Sequence, residues 1–262
     1  MTKISEVVHF LGTLCPPILA EDWDNTGLLL GDPELPVEAV MTCLTLTRKT
    51  CHEAIDKMAN LVVCHHPMPF RPVRCITTVS QSGRILWELA NHGIAVYSPH
   101  TAFDSCESGI NAMLARMLRL HDVRPLRPLP QDPLVGAGRM GCLEQPVSLL
   151  EFAHRVKEQL GVKAVQLVGR PEASVSRVAV ACGAAGELLD DARACGCDVI
   201  VLGEARYHTC LEAEFWGIGM VLVGHYASER RGVEKLAEIL RRHFPHLKVW
   251  ASEQESDPMC WV

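Results

Sequence analysis

Short apolar runs alternate with segments of helical periodicity along this chain, and the same alternation occurs twice. Residues 37–66 and residues 175–204 match without a gap, and each contains a strand, a turn, a helix with alanine and charged residues, and a second apolar strand. Another helix and another strand follow each copy, with the strands at residues 93–98 and 217–223. Strands that alternate with helices predict a largely parallel sheet. The repetition predicts an α/β fold of two related domains from an internal duplication, with mixed or parallel sheets.

The first residues have the spacing of an amphipathic helix. Glu6 and His9 interrupt the apolar stretch that a secretory signal needs. The pair Pro16-Pro17 ends the helical pattern, because proline removes a backbone donor. We therefore expect an opening helix in place of a signal peptide, and a cytoplasmic protein. The apolar positions that recur every three or four residues are Ile4, Val7, Leu11 and Leu14.

A proline-rich segment, residues 123–133, separates the two copies and has little periodicity. Clustered prolines are typical of loops, so this segment is the best candidate for a linker. We therefore expect a first domain over residues 1–128 and a second over residues 129–262. The second domain is expected to begin with an edge strand near residues 136–141 and an amphipathic helix over residues 147–160.

Composition narrows the functional classes. The 262 residues are 48% hydrophobic and 21% charged, which is typical of a globular enzyme, and no apolar run reaches membrane-spanning length. The net charge of −6 argues against nucleic acid as a partner, because a phosphate backbone needs clustered lysine and arginine. The twelve cysteines are scattered through apolar segments without CxxC spacing, so we interpret them as reduced core residues.

Histidines and carboxylates follow the apolar strands. Residues 61–64 lead directly into His65 and His66, and two other strands lead into matching motifs in which a carboxylate comes four residues after a histidine. Ligands of such folds bind beyond the carboxyl ends of strands, and imidazole and carboxylate groups hold divalent metals. We therefore predict that the three strand ends form one metal site. The two matching motifs are His100 with Asp104 and His225 with Glu229.

Each of these motifs alone has a simpler interpretation. Adjacent histidines in a strand point to opposite faces, so both bind one ion only where the strand gives way to a turn, or each binds a different ion of a close pair. Buried histidines often only hydrogen-bond to backbone, and histidine–carboxylate pairs at helical spacing are common on solvated helices. The coincidence of three strand ends, with two motifs in matching places of the repeat, favours metal binding.

A fourth strand end, residues 202–208, occupies in the second copy the place that the two adjacent histidines hold in the first. It provides Glu204 and His208. We expect these two residues to transfer protons or to orient the metal ligands, and so to be the catalytic residues. The alternative is a glutamate at a helix start and an exposed histidine.

Five separated motifs, EDWDNTGL, VVCHHP, SPHTAFD, GEARYH and GHYASERRGVE, occur in this order over essentially the whole chain. Together they resemble the NIF-three-like dinuclear-metal family, whose members are often named GTP cyclohydrolase I type 2 homologues. The resemblance implies two related α/β domains, a cleft between them with two divalent metal ions per subunit, and a toroidal homohexamer. The ligands that it implies are His65, His66, Asp104, His225 and Glu229.

Two positions depart from the family pattern. The family commonly has aspartate where this chain has Thr45 in the first strand, and again where it has Asn60 before the histidine strand. Neither position is one of the implied ligands. The two departures therefore remove a carboxylate that would lie in the pocket or contact a metal ligand. We expect substrate preference or metal affinity to differ from that of relatives.

Two adjacent divalent ions lower the pKa of a shared water and polarise a substrate atom, so hydrolysis is the reaction class that the resemblance implies. The family name implies a nucleotide, GTP, as the small-molecule substrate, but the chain has no GxxxxGKS phosphate loop. A non-catalytic protein that handles a metal or binds a partner would use the same ligands and is the alternative function. Imidazole and carboxylate ligands without thiolate fit zinc, iron, manganese, cobalt or nickel.

Overall fold

The computed structural model describes residues 1–260, which form two compact units. The first contains Met1–Phe103 and Arg230–Ser256, and the second contains Asp104–Glu229 and residues 257–260. This division differs from the boundary expected near residue 128. The last strand of the chain returns to pair in the first sheet, and the helix after residue 109 packs on strands of the second unit.

Nine α-helices and thirteen strands lie in the described part of the chain. The helices are α1 (Ile4–Leu14), α2 (Arg48–Asp56), α3 (Gln81–Asn91), α4 (His100–Ser105), α5 (Ile110–Met117), α6 (Leu149–Leu160), α7 (Leu189–Ala194), α8 (Tyr207–Trp216) and α9 (His225–His243). The strands are β1 (Gly27–Leu30), β2 (Ala39–Cys43), β3 (Leu61–Cys64), β4 (Ala95–Ser98), β5 (His121–Arg124), β6 (Arg127–Leu129), β7 (Asp132–Ala137), β8 (Arg139–Ser148), β9 (Gln166–Val168), β10 (Ser174–Ala181), β11 (Val199–Leu202), β12 (Gly219–Leu222) and β13 (Lys248–Ala251).

The first unit contains a five-stranded sheet in the order β1-β4-β3-β2-β13. Strands β4, β3, β2 and β13 are parallel, and β1 pairs with β4 in the antiparallel direction. All residues of β2, β3 and β4 are buried, as expected for parallel strands covered on both faces. The predicted strand–helix–strand unit at residues 37–66 is therefore confirmed as β2-α2-β3, and the next predicted strand as β4.

The second unit contains a six-stranded sheet in the order β5-β8-β10-β11-β12-β9. Only its centre, β10-β11-β12, is parallel, and β8, β5 and β9 are added in the antiparallel direction. The second predicted strand–helix–strand unit is confirmed as β10-α7-β11. The expectation of a largely parallel sheet therefore holds only for this centre. Because the outer strands are antiparallel, the protein is a mixed α/β protein.

The region around the predicted linker differs from the expectation. The proline-rich residues 123–133 form the end of β5, the strand β6 and the start of β7, and β6 and β7 pair as a two-stranded sheet. The predicted edge strand is wrong, because β8 lies inside the sheet between β5 and β10. The prolines are typical of turns, so the short strands β5, β6 and β7 were not predicted. Their pairing, β5 with β8 and β6 with β7, depends on other segments of the chain. The predicted helix that follows is confirmed as α6.

The opening helix and the cysteines agree with the sequence. Helix α1 buries Ile4, Val7 and Leu11, and the amide of Cys15 donates to Leu11 to end it. Within residues 1–260 no helix is long and apolar enough to cross a membrane. All twelve cysteines are free thiols and most are buried, as expected for reduced core residues.

Candidate metal centre

The strand ends of the first unit present three histidines. His65 and His66 follow β3, and their backbone amides donate to the carbonyls of Cys43 and Leu44 at the end of β2, each at 2.9 Å. Strand β4 ends at Ser98, and α4 begins at His100. Because β2, β3 and β4 are parallel, their carboxyl ends lie at one edge of the sheet, and the histidines lie there with them.

The three imidazoles form one cluster. His65, His66 and His100 each have a ring nitrogen within 4.8 Å of the corresponding atoms of the other two. His65 is buried and the other two are half-buried. Three imidazoles at this spacing fit a divalent metal such as zinc, iron, cobalt or nickel by the chemistry of the donor set. The backbone φ of His100 is 28°, a conformation that L-residues rarely adopt and that is concentrated at functional sites.

The outer ring nitrogens of two of these histidines have partners. His66 Nδ1 lies 2.7 Å from the hydroxyl oxygen of Thr45, and His100 Nδ1 lies 2.7 Å from Oδ1 of Asp24. Burial acts to raise the pKa of Asp24, but hydrogen bonds from His100 and Thr101 outweigh it and lower that pKa to about 2. A carboxylate such as that of Asp24 fixes the tautomer and orientation of its histidine, and the hydroxyl of Thr45, which can donate or accept, restrains the orientation of the ring of His66.

The second unit presents a histidine between two carboxylates. Strand β12 ends at Leu222, and α9 begins at His225. His225 Nε2 lies 3.1 Å from Oε2 of Glu229, one helical turn further on, and its Nδ1 lies 3.1 Å from Oε1 of Glu204, just after β11. The hydrogen bond with Glu229 is the main cause that raises the pKa of His225 to about 9, against the opposing effect of burial. The predicted pairing at helical spacing is confirmed for His225 and Glu229.

A glycine makes room for Glu229. The amide of Gly183, which follows β10, donates to Oγ of Ser228 at 2.9 Å. A Cβ atom at Gly183 would collide with the carboxylate of Glu229, and the backbone φ of +64° also favours glycine. Sequence reasoning did not single out Gly183. The one available signal was its place directly after an apolar strand.

Asp104 lies beside the same strand end. The thiol of Cys182 donates to Oδ1 of Asp104 at 3.0 Å. Burial raises the pKa of this thiol well above its usual value, and the charges of Asp104 and Glu229 raise it further. Asp104, His225 and Glu229 therefore gather around the carboxyl end of β10.

The two predicted catalytic residues lie in different surroundings. Glu204 is half-exposed and lines a cavity of about 690 Å³ within the second unit, together with Glu187, Asp190, Glu212 and a single arginine, Arg206. His208 lies in the first turn of α8 with an exposed ring that contacts Tyr207. The structure therefore brings Glu204 into contact with His225. His208 is not one of the described residues that line the cavity.

Sequence reasoning missed one member of this arrangement, Asp24, and the family resemblance left out another, His100. Asp24 lies in a motif that supported the family resemblance, but nothing in the sequence paired it with His100, which is distant along the chain. His100 itself was a candidate from its strand-end motif and is absent from the ligand set that the resemblance implies. The structure places it with His65 and His66.

The fold and these clusters define a mixed α/β protein in which each unit presents imidazole or carboxylate groups able to bind divalent metal. The sequence model of the Duf34/NIF3 (NGG1p interacting factor 3) family matches residues 2–258. The chain belongs to this family, which confirms the resemblance drawn from its motifs.

Relatives of known sequence and structure agree with this assignment. A Streptomyces coelicolor protein named "GTP cyclohydrolase 1 type 2 homolog" is 34% identical, with 98% of this chain and 94% of that protein covered. "Protein NIF3 homolog" of Schizosaccharomyces pombe is 32% identical, with 98% and 96% covered. The crystal structure of a hypothetical protein of Staphylococcus aureus has a TM-score of 0.90 at 26% identity, with 99% of both chains covered. A Bacillus cereus protein related to NIF3 has the same fold, with a TM-score of 0.91 at 23% identity and coverage of 100% and 99%.

Proposed function

We propose that the protein is a metal-dependent hydrolase that holds two divalent ions with His65, His66, Asp104, His225 and Glu229. The observation that carries this proposal is the pair of clusters at strand ends: three imidazoles in the first unit, and a histidine with two acids around the end of β10 in the second. Such mixed imidazole and carboxylate sets suit catalytic metals.

The chain crosses from one unit to the other beside two of the proposed ligands. The chain passes from the first unit to the second within α4, between Phe103 and Asp104, and returns within α9, between Glu229 and Arg230. Each passage therefore lies next to a proposed ligand. The family resemblance, and not the path of the chain, implies that these ligands hold one pair of ions.

Residues around the proposed ligands have separate roles in such a site. A bound pair of divalent ions supplies Lewis acidity and lowers the pKa of a bound water. Glu204 holds Nδ1 of His225 and so orients its Nε2 toward the side on which Glu229 lies. Glu204 is also half-exposed at the wall of a cavity, where it accepts a proton from substrate or water. Thr45 and Asp24 orient His66 and His100 in the same way.

The proposed substrate is a nucleotide, in line with the names of the relatives. The cavity beside Glu204 has four carboxylates and one guanidinium group. Carboxylates accept hydrogen bonds from N–H groups and repel phosphate. We therefore assign this cavity to the amino- and amide-bearing base of the substrate, with its phosphates outside it.

Metal analysis and turnover test the proposal together. Protein purified without a chelating tag should contain two divalent ions per subunit, and His65→Ala should lose metal. The loaded protein should hydrolyse at least one member of a panel of nucleotides and phosphoesters faster than His65→Ala does. Wild type that binds metal but turns over nothing faster than this variant would instead support a carrier that stores, senses or delivers metal.

Assembly and location belong to the same proposal. We propose a homohexamer in the cytoplasm, as the family resemblance implies. Light scattering of the purified protein should give a mass close to six times the 28.9 kDa of one chain. A monomeric mass at all concentrations would contradict this assembly.

A further inference from the structure

The segment after β13 is fixed to the first unit by a buried glutamate. The carboxylate of Glu53 accepts hydrogen bonds from the hydroxyl of Ser252, from the amides of Glu253 and Gln254, each at 3.0 Å, and from the indole of Trp250 at 3.1 Å. Its side chain is 2% exposed. This network sets the path of residues 252–254 and delivers the next residue, Glu255, to the interior.

Glu255 is a second buried carboxylate, with a side chain only 4% exposed. It accepts from the backbone amides of Leu44 at 2.8 Å and Thr45 at 2.7 Å, in the loop after β2. It also accepts from Nη1 of Arg230 at 2.9 Å, and Nη2 of the same arginine donates to the carbonyl of Ser252. A buried, charged acceptor with this many donors fixes the loop that it contacts.

The two residues that Glu255 holds are the two that hold His66. The carbonyl of Leu44 accepts the backbone amide of His66 at 2.9 Å, and the hydroxyl of Thr45 lies 2.7 Å from its ring Nδ1. The arginine on the other side of Glu255 directly follows Glu229 in α9. One carboxylate near the end of the chain therefore reaches the supports of one proposed ligand and the neighbour of another.

We propose that Glu255 is a positioning residue of the metal centre, which sets the ring of His66 through the loop at Leu44 and Thr45. This inference rests on the proposed function, because it takes His66 as a ligand. Loss of the Glu255 carboxylate frees the amides of Leu44 and Thr45, so the hydroxyl of Thr45 should shift with this loop and change its hydrogen bond with Nδ1 of His66.

The test compares Glu255→Gln with Glu253→Gln. Both remove one negative charge from the same segment, but Glu253 is exposed and pairs with Lys57 at the surface. In metal-free protein, ¹⁵N NMR of the imidazole of His66 should show a changed tautomer balance in Glu255→Gln and none in Glu253→Gln. Titration with Co²⁺, followed by its visible absorption, should show about a tenfold to a hundredfold loss of affinity in Glu255→Gln only, the usual effect of losing an outer partner of a metal ligand.

Thr45→Val gives an independent arm. It removes the hydroxyl that contacts His66 and keeps the shape and the backbone contacts with Glu255, so it should weaken Co²⁺ binding by a similar factor. If Glu255 acts through Thr45, the double variant should be little worse than either single variant. Thermal unfolding of each variant identifies any that fails to fold.

The outcomes separate this inference from the proposed function. Glu255→Gln that behaves like Glu253→Gln in both measurements, or effects that add fully with Thr45→Val, would overturn the positioning role. Wild type that binds no Co²⁺ would overturn the proposed function, and the NMR comparison of metal-free proteins would then decide the link between Glu255 and His66 on its own.

Discussion

The two repeated segments share one strand register and differ in the side chains at their strand ends. Val40 pairs with Leu61 in β2-β3, and their counterparts Val178 and Val199 pair in β10-β11, so the register of the two parallel pairs is the same. The third strands, β4 and β12, also join at equivalent residues. Yet the strand ends of the first copy carry three imidazoles, whereas those of the second copy carry one imidazole, His225, between two carboxylates.

Two pairs of counterparts make the difference concrete. His66, a proposed ligand, corresponds to Glu204, which orients a proposed ligand. Thr45, whose hydroxyl contacts His66, corresponds to Gly183, where any side chain would collide with Glu229. The fold therefore fixes where functional side chains emerge, and single substitutions decide whether each binds a metal, orients a ligand or makes room for one.

The largest effect should come from removing one imidazole in each unit. His65→Ala and His225→Ala each leave a metal with too few ligands, so each should lower metal affinity by more than the ~100-fold that loss of an outer partner causes. Metal content by mass spectrometry and Co²⁺ titration measure this. His154→Ala, an exposed histidine of α6, is the control. A loss confined to one of the two variants would separate the two clusters.

Acid should weaken the first unit through Glu53. Burial acts to raise the pKa of Glu53, but hydrogen bonds from Ser252 and its neighbours lower that pKa from 4.5 to about 2. The stabilisation is thus complete above about pH 4.5 and is lost as the pH falls through about 2. Glu53→Gln should cost roughly 3 kcal/mol of unfolding free energy near neutral pH, and the difference from wild type should shrink in acid.

The counterpart of Glu53 in the second copy, Asp191, supplies the control. It is part-exposed and pairs with Arg127 at 3.6 Å. Asp191→Asn should change the free energy of unfolding by less than ~1 kcal/mol, as exposed ion pairs usually do. Urea unfolding followed by circular dichroism at several pH values measures both variants. Equal losses for the two would contradict the difference between the copies.

A methyl group at Gly183 should disturb the second cluster. Gly183→Ala adds a Cβ that meets the carboxylate of Glu229, so we expect about 2 kcal/mol of destabilisation and weaker metal binding. Gly93→Ala is a matched control, because its backbone φ is also +64° and nothing lies within 4 Å of the added atom. The difference between the two thermal unfolding curves isolates the collision. Identical behaviour would show that Glu229 moves aside without loss.

The smallest effect should come from giving the first copy a charged partner. Thr45→Asp places the aspartate that the family pattern led us to expect next to Nδ1 of His66, as Glu204 lies next to Nδ1 of His225. A carboxylate that accepts the Nδ1 proton makes the imidazole more basic and so a stronger metal ligand. We therefore expect Co²⁺ affinity to rise by a few-fold, less than the ~10-fold change that loss of an outer partner usually causes. A fall in affinity would show that the neutral hydroxyl suits this loop and its neighbour Glu255.

Local periodicity predicted a large part of this molecule. The strand–helix–strand units and α1 follow from the spacing of apolar residues, and the pairing of His225 with Glu229 follows from one helical turn. Pairings between distant segments leave no such trace. The return of β13 to β2, the inner place of β8, and the contact of Asp24 with His100 each depend on how separate elements meet, which spacing along the chain does not encode.

The return of β13 has a consequence for synthesis on the ribosome. Residues 104–229 follow one another without interruption, so the bulk of the second unit has left the exit tunnel while the sheet of the first still lacks an edge strand. Domains fold as units during translation, usually from the N-terminus onward. Here the middle of the polypeptide is expected to reach its native state first, and the opening hundred residues wait for the final strand to complete theirs.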